Sequence, residues 1–215
     1  MENLVKDILR LVTSSLQTPT IIILLLLIAA AIVMVGSIIA EVFSDRRHLK
    51  AKIPEVIDDI QGMDRYRLED YMKNCGLLKR QKKAIKELII RGNLSDDSRE
   101  ALARELLFEE QDHYDRITKM SDVIARIAPM FGLLGTLIPL GPGLIALGQG
   151  DTKTLSDSLL IAFDTTVAGL VSGAVAYVIS AIRKRWYEKY IVGLETIMEC
   201  ILEVQSQDAA ERGEE

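Results

Sequence analysis

The sequence predicts an all-α membrane protein: three transmembrane helices, with long helices extending into a helical cytoplasmic domain. Three observations predict it. No charged residue occurs between Leu11 and Ala40. Two further apolar blocks, residues 127–147 and 155–182, are each long enough to cross a hydrocarbon core, which takes about 20 helical residues. Basic residues gather beside only one end of each block, as expected of cytoplasmic flanks.

Thr18-Pro19 reads as the start of the first helix, because threonine caps and proline is tolerated in a first turn. Residues 1–18 are then an external segment and residues 19–41 the first span. A cleaved signal peptide would have a shorter apolar region behind a basic start. Here Glu2, Lys6, Asp7 and Arg10 sum to zero, while Arg46, Arg47, Lys50 and Lys52 follow the span. Residues 42–126 form a cytoplasmic helical loop. Within it Leu77, Leu78, Ala84, Ile85, Leu88 and Ile89 recur at helical spacing, opposite Lys79, Arg80, Lys82, Lys83 and Lys86. That basic helix is either a surface for anionic lipid or a soluble partner, or an ordinary amphipathic helix with solvated lysines. Gly92-Asn93 breaks the pattern. Ser95 caps the next helix, which carries Leu102, Leu106, Leu107, Ile117, Met120, Ile124 and Ile127 toward the membrane.

Residues 127–148 form the second span, 149–154 an external turn and 155–182 the third span. Residues 183–215 are a cytoplasmic helix and tail, with disorder expected from Gln205 onward. Arg116, Lys119 and Arg126 precede the second span, and Arg183, Lys184 and Arg185 follow the third. Trp186, Tyr187 and Tyr190 suit an interfacial anchor there. The chain therefore places its N-terminus outside and its C-terminus in the cytoplasm of a cell whose plasma membrane it crosses three times.

Composition excludes several classes of chemistry. A net charge of −5 argues against nucleic acid as a partner. Cys75 and Cys200 are far apart without a CxxC spacing, which excludes a disulfide framework or a structural zinc site. His113 follows Glu109 by one helical turn, but the run Glu109-Glu110-Gln111-Asp112-His113 reads as a solvated face rather than a metal site. No HExxH, GxSxG or P-loop run occurs, so the chain is not expected to be an enzyme.

Inside the membrane, helices associate through small residues. Gly132, Thr136, Pro139 and Gly143 mark such a stripe on the second span, with Gly135 a further packing residue, and Thr165, Gly169 and Gly173 mark one on the third. Pro139 and Pro142 lack an N–H, so the carbonyls of Gly135 and Ile138 lose their usual partners. They mark either a kink or carbonyls facing an aqueous path. Asp164 is the acidic residue expected inside a span, beyond Asp157 at its start, and Thr165 and Thr166 follow it. An intramembrane carboxylate normally faces water or a partner. If the span begins late, Asp164 is a residue of the external mouth instead.

The segments Ala128-Pro129-Met130-Phe131-Gly132-Leu133-Leu134-Gly135-Thr136 and Thr165-Thr166-Val167-Ala168-Gly169-Leu170, in this order, resemble the MotA/TolQ/ExbB proton channel family. The resemblance implies a homo-pentamer in the lipid bilayer enclosing a single-span partner like ExbD, TolR or MotB, whose span carries a proton-accepting aspartate. It implies no cofactor, only a transported proton or sodium ion, and it makes Thr136 and Thr166 pathway-lining residues. Two features depart from the pattern. Ile161 stands where TolQ and ExbB members carry a glutamate, with Asp164 one turn on. The segment Pro139-Leu140-Gly141-Pro142 resembles divergent archaeal members. The reading is a channel-scaffold subunit with an ion pathway of Thr136, Asp164, Thr165 and Thr166. The alternative is a non-conducting scaffold or transport accessory. The spans' small-residue faces are expected to line the ring's inner wall, with the first span facing lipid.

Overall fold

The computed structural model describes residues 4, 8, 11–12, 15–48, 53–60, 67–68, 70–71, 75–92 and 94–213, with backbone alone at 44–48 and 207–213. The charges at Glu2, Lys6, Asp7, Arg10, Lys50 and Lys52, the side chains of Arg46 and Arg47, and Asn93 lie outside this description. Five helices account for the described elements, in the order α1 Gln17–His48, α2 Ile53–Ile60, α3 Lys79–Ile90, α4 Asp96–Gly148 and α5 Thr152–Gly213. Among the described residues, α1, α4 and α5 are long and apolar enough to cross a membrane. The protein is an all-α membrane protein, as the apolar blocks require.

Two compact units divide the chain. The first comprises residues 1–38 and 118–182, the second residues 39–117 and 183–215. In the first, Met34, Ile124, Ala176 and Ile179 form a small buried cluster from α1, α4 and α5. Most of the large side chains of α1 stay outside it: Leu25, Leu26, Ile32 and Val33 are exposed. A helix apolar on every side belongs in lipid or against other helices.

The hairpin between α4 and α5 is set by local chemistry. Gly150 has φ +82°, a left-handed conformation open to glycine without penalty. It lets the Asp151 amide bond the Ala146 carbonyl at 2.9 Å and its own amide bond Leu147 at 3.0 Å, which closes the end of α4. Asp151 then caps α5. Its carboxylate accepts from the Thr154 hydroxyl at 2.5 Å and the Thr154 amide at 3.1 Å. These bonds, the hydroxyl's first, hold the Asp151 carboxyl below its ordinary range.

In the second unit, Ile60, Ile85, Leu88, Leu194, Ile197, Met198 and Ile201 are the most deeply buried side chains of one core. The apolar face of α3 packs there and its lysines point outward, the ordinary amphipathic arrangement. Gln81, only 3% exposed, accepts from the Leu78 amide at 3.2 Å and donates to the Tyr190 carbonyl at 3.1 Å, fixing the start of α3. Cys75 and Cys200 lie in the same core as free thiols, and burial raises both thiols above their ordinary range.

Two expectations change. Thr18 does not cap α1: Leu16 bonds Val12 at 3.1 Å and Thr20 bonds Leu16 at 3.0 Å, so helical bonding already runs through this position. As far as it is described the polar tail is helical, because α5 continues to Gly213. Gln205 is buried there and accepts from the buried Arg99 guanidinium at 3.3 Å, a partner that composition alone does not reveal. Pro129, Pro139 and Pro142 all lie within the 53 residues of α4.

Candidate functional site

The candidate pathway residues all lie in the first unit, on α4 and α5. Where α4 meets α5, a ladder of small residues lets the two backbones touch. A Cβ added at Gly169 would stand 2.6 Å from the Ala128 carbonyl oxygen and 2.7 Å from the Gly132 Cα. One at Gly135 would fall 2.6 Å from the Thr165 Cβ, and one at Gly173 would meet the Pro129 ring at 2.8 Å. Gly143 opposes Ser158 farther along. The stripes on the second and third spans therefore pack against each other within one chain. That corrects the expectation that these faces line a ring's inner wall: Gly132, Gly135, Gly169 and Gly173 are already occupied by the hairpin.

Pro129 stands within the Ala128–Thr136 motif, and its ring is the body that Gly173 admits. Pro139 is buried and Pro142 exposed. Each removes one backbone donor, from the carbonyls of Gly135 and Ile138 respectively.

The four polar candidates do not share one face. Thr165 is 8% exposed and sits under Gly135. Asp164 is exposed and lines a groove of about 430 Å3 with Ile28, Ile32 and Val35 of α1 and Val167 and Val171 of α5. Thr166 and Thr136 are half-buried. Successive residues of a helix are turned by about 100°, so Asp164, Thr165 and Thr166 point in three directions.

Hydroxyl chemistry narrows what these residues can do. Thr165 donates to the carbonyls of Ile161 and Ala162, at 2.9 and 3.0 Å, Thr166 to Ala162 at 2.9 Å and Thr136 to Leu133 at 2.7 Å. A hydroxyl whose proton is spent on its own helix presents only lone pairs outward. Such oxygens suit coordination of a cation or acceptance from water. Proton release would require breaking the helical bond.

Three further polar contacts join residues far apart in the sequence. Ser180 donates to Asp122 at 2.5 Å, joining α5 to α4. In the second unit, Glu41 accepts from Arg183 at 3.1 Å and from the Tyr187 hydroxyl at 2.5 Å. The Arg183 and Glu41 side chains are 9% and 17% exposed. Tyr187 stacks on Tyr114 with centroids 4.4 Å apart. Burial, followed by the bond to Glu41, raises the Tyr187 hydroxyl well above its ordinary range. The only sequence signal was that Glu41 and Arg183 are the first charges beyond two apolar runs.

His113 meets Tyr114 edge-on at 5.5 Å. Among the described residues, no group of three or more His, Cys, Asp or Glu is arranged to hold a metal ion. Set beside known proteins, the chain matches the family described as the MotA/TolQ/ExbB proton channel family over residues 76–196. No curated protein matches it.

Proposed function

This chain belongs to the MotA/TolQ/ExbB proton channel family, and from that premise we propose that it is the channel-scaffold subunit of an ion-motive-force-driven complex. It forms a homo-pentamer in the plasma membrane around a single-span partner like ExbD, TolR or MotB. A proton or sodium ion crosses with the help of this ring and powers mechanical work or transport. The chain itself performs no catalysis and holds no cofactor.

The observation that carries this reading is the α4–α5 hairpin. The residues shared with the family pattern, Gly132, Gly135, Thr165 and Gly169, are those that bring the two helices into backbone contact. A rigid two-helix unit of this kind is a suitable stave for a ring. Thr136 and Thr166 flank the contact with their lone pairs available, which suits a hydrated cation. Asp164 gathers the cation from the external side, through a separate groove.

A non-conducting scaffold is favoured by one observation, the burial of Thr165 in the α4–α5 contact. Flux in vesicles holding this chain with its single-span partner separates the two readings. Thr166→Val keeps shape and removes the hydroxyl, and Asp164→Asn removes a charge at similar volume. Each is expected to assemble like the parent and to lower proton or sodium flux by about tenfold, the scale of a lost hydrogen bond to a charged species. Parent-like flux from both variants would leave conduction to the partner alone.

Orientation has its own test. Cys75 and Cys200 are buried, so their silence toward an impermeant maleimide in intact cells carries no topological information. Introduced exposed cysteines do. Lys153→Cys should label in intact cells and Glu188→Cys only after lysis. The opposite pattern would invert the proposed topology.

A further inference from the structure

In the first unit the groove of about 430 Å3 runs between α1 and α5. On α5, Asp164, Val167, Val171 and Val175 fall at helical spacing along one stripe. Ile28 and Ile32 of α1 belong to the facing wall. The walls are mainly branched aliphatic side chains, and Asp164 is the one charged residue among them. Its carboxylate has no hydrogen-bond or ion-pair partner among the described residues.

Depth in the membrane follows from the sequence. The apolar run of α5 ends at Ile182, and three basic residues follow it, so Ile182 marks one edge of the hydrocarbon. Asp164 lies about 27 Å before that edge along the helix, close to the full core thickness of roughly 30 Å. The carboxylate therefore stands near the opposite edge, where hydrocarbon gives way to headgroups. From there the groove descends about 16 Å along α5 to Val175. An unpartnered carboxylate at that level calls for a cation. The spans supply none. Residues 11–40 and 127–148 carry no charge, and Lys153 lies about 16 Å farther out along α5. The spans of a second copy therefore lack the complementary charge, whereas a lipid brings an apolar tail and a headgroup cation together.

We propose that this groove holds a phospholipid with a primary ammonium headgroup, its acyl chain along the valine stripe and its ammonium on the Asp164 carboxylate. A primary ammonium donates charge-assisted hydrogen bonds, which a trimethylated one cannot. The acyl chain covers walls that the chain itself leaves open: Ile32, Val167 and Val171 are each more than half exposed. The proposed function also gives Asp164 a permeant cation to gather, so the lipid competes with it there. Lipid binding is read without flux, and it stands or falls separately from that function.

The test is native mass analysis of the purified, detergent-solubilised full chain, titrated with phosphatidylethanolamine or phosphatidylcholine of the same acyl chains. The parent should retain phosphatidylethanolamine about tenfold more tightly, the scale of one charge-assisted hydrogen bond. Asp164→Asn should hold both lipids alike. Val171→Trp, at an exposed position of the wall, should fill the groove and weaken retention of both. Asp157→Asn, at an exposed acid outside the groove, should behave like the parent. Millimolar ethanolamine should fail to displace the lipid; displacement would assign the carboxylate to a soluble ammonium and overturn the lipid assignment. Lipid retained by the monomer but not by an oligomer would give the groove to a second copy and overturn it too. So would equal retention of both lipids by the parent, or a preference that survives in Asp164→Asn.

Discussion

Gly169→Val is expected to destroy the helix hairpin, lowering stability by about 3 kcal/mol or more. The reason is that a Cβ at this position has no flexible neighbour to displace. It would meet the Ala128 carbonyl, the Gly132 Cα at 2.7 Å and the Gly132 amide nitrogen at 2.9 Å, all backbone. The helices would have to part along their whole contact, including the Gly135–Thr165 and Pro129–Gly173 steps. Gly36→Val is the control, because nothing lies within 4 Å of a Cβ there. Thermal midpoints and monodispersity in detergent read the difference. A Gly169→Val protein as stable as Gly36→Val would mean that α4 and α5 do not meet as described.

Removing Glu41 is expected to have the second largest effect. Glu41→Leu leaves the Arg183 guanidinium buried without its carboxylate and takes the acceptor from the Tyr187 hydroxyl. Breaking a buried pair from one side costs about 3–5 kcal/mol. The lower end applies here, since the Glu41 side chain keeps 17% exposure and Arg183 has further interactions. The double variant Glu41→Leu with Arg183→Met should recover most of the loss, because the desolvation penalty leaves with the pair. Fluorescence of Trp186, the single tryptophan, beside Tyr187, follows unfolding. The same cluster predicts an alkaline limit. Tyr187 has a raised pKa in the fold, so its contribution is intact below about pH 10, the ordinary tyrosine value, and is lost as pH rises beyond it. The part due to the Glu41 bond should vanish in Glu41→Leu.

Much of this architecture is legible in the sequence. Apolar runs identify the spans because a bilayer tolerates little else, and the glycine and threonine stripes mark faces suited to close helix packing. What those stripes meet is less legible: spacing shows that Gly169 wants a close neighbour, and only the fold shows that the neighbour is Gly132 of the same chain. Adjacency also misleads. Asp164, Thr165 and Thr166 read as one polar cluster along the sequence, but helical rotation sends the first toward α1 and the second into the α4 contact. Pairs such as Glu41 with Arg183, or Arg99 with Gln205, follow from tertiary packing between distant residues, which no local period encodes. The polar composition after Gln205 suggested disorder because it shows no apolar face, whereas a buried arginine supplies the contact.

The proposed function requires an ion to pass through this chain together with a single-span partner. The most direct measurement is proton and sodium uptake, under an imposed membrane potential, into vesicles holding the chain alone, the partner alone, or both. Uptake is expected with both together, none above background with either alone, and loss of uptake when the partner's intramembrane carboxylate is replaced by its amide. Background flux from the assembled pair, for both ions, would contradict it.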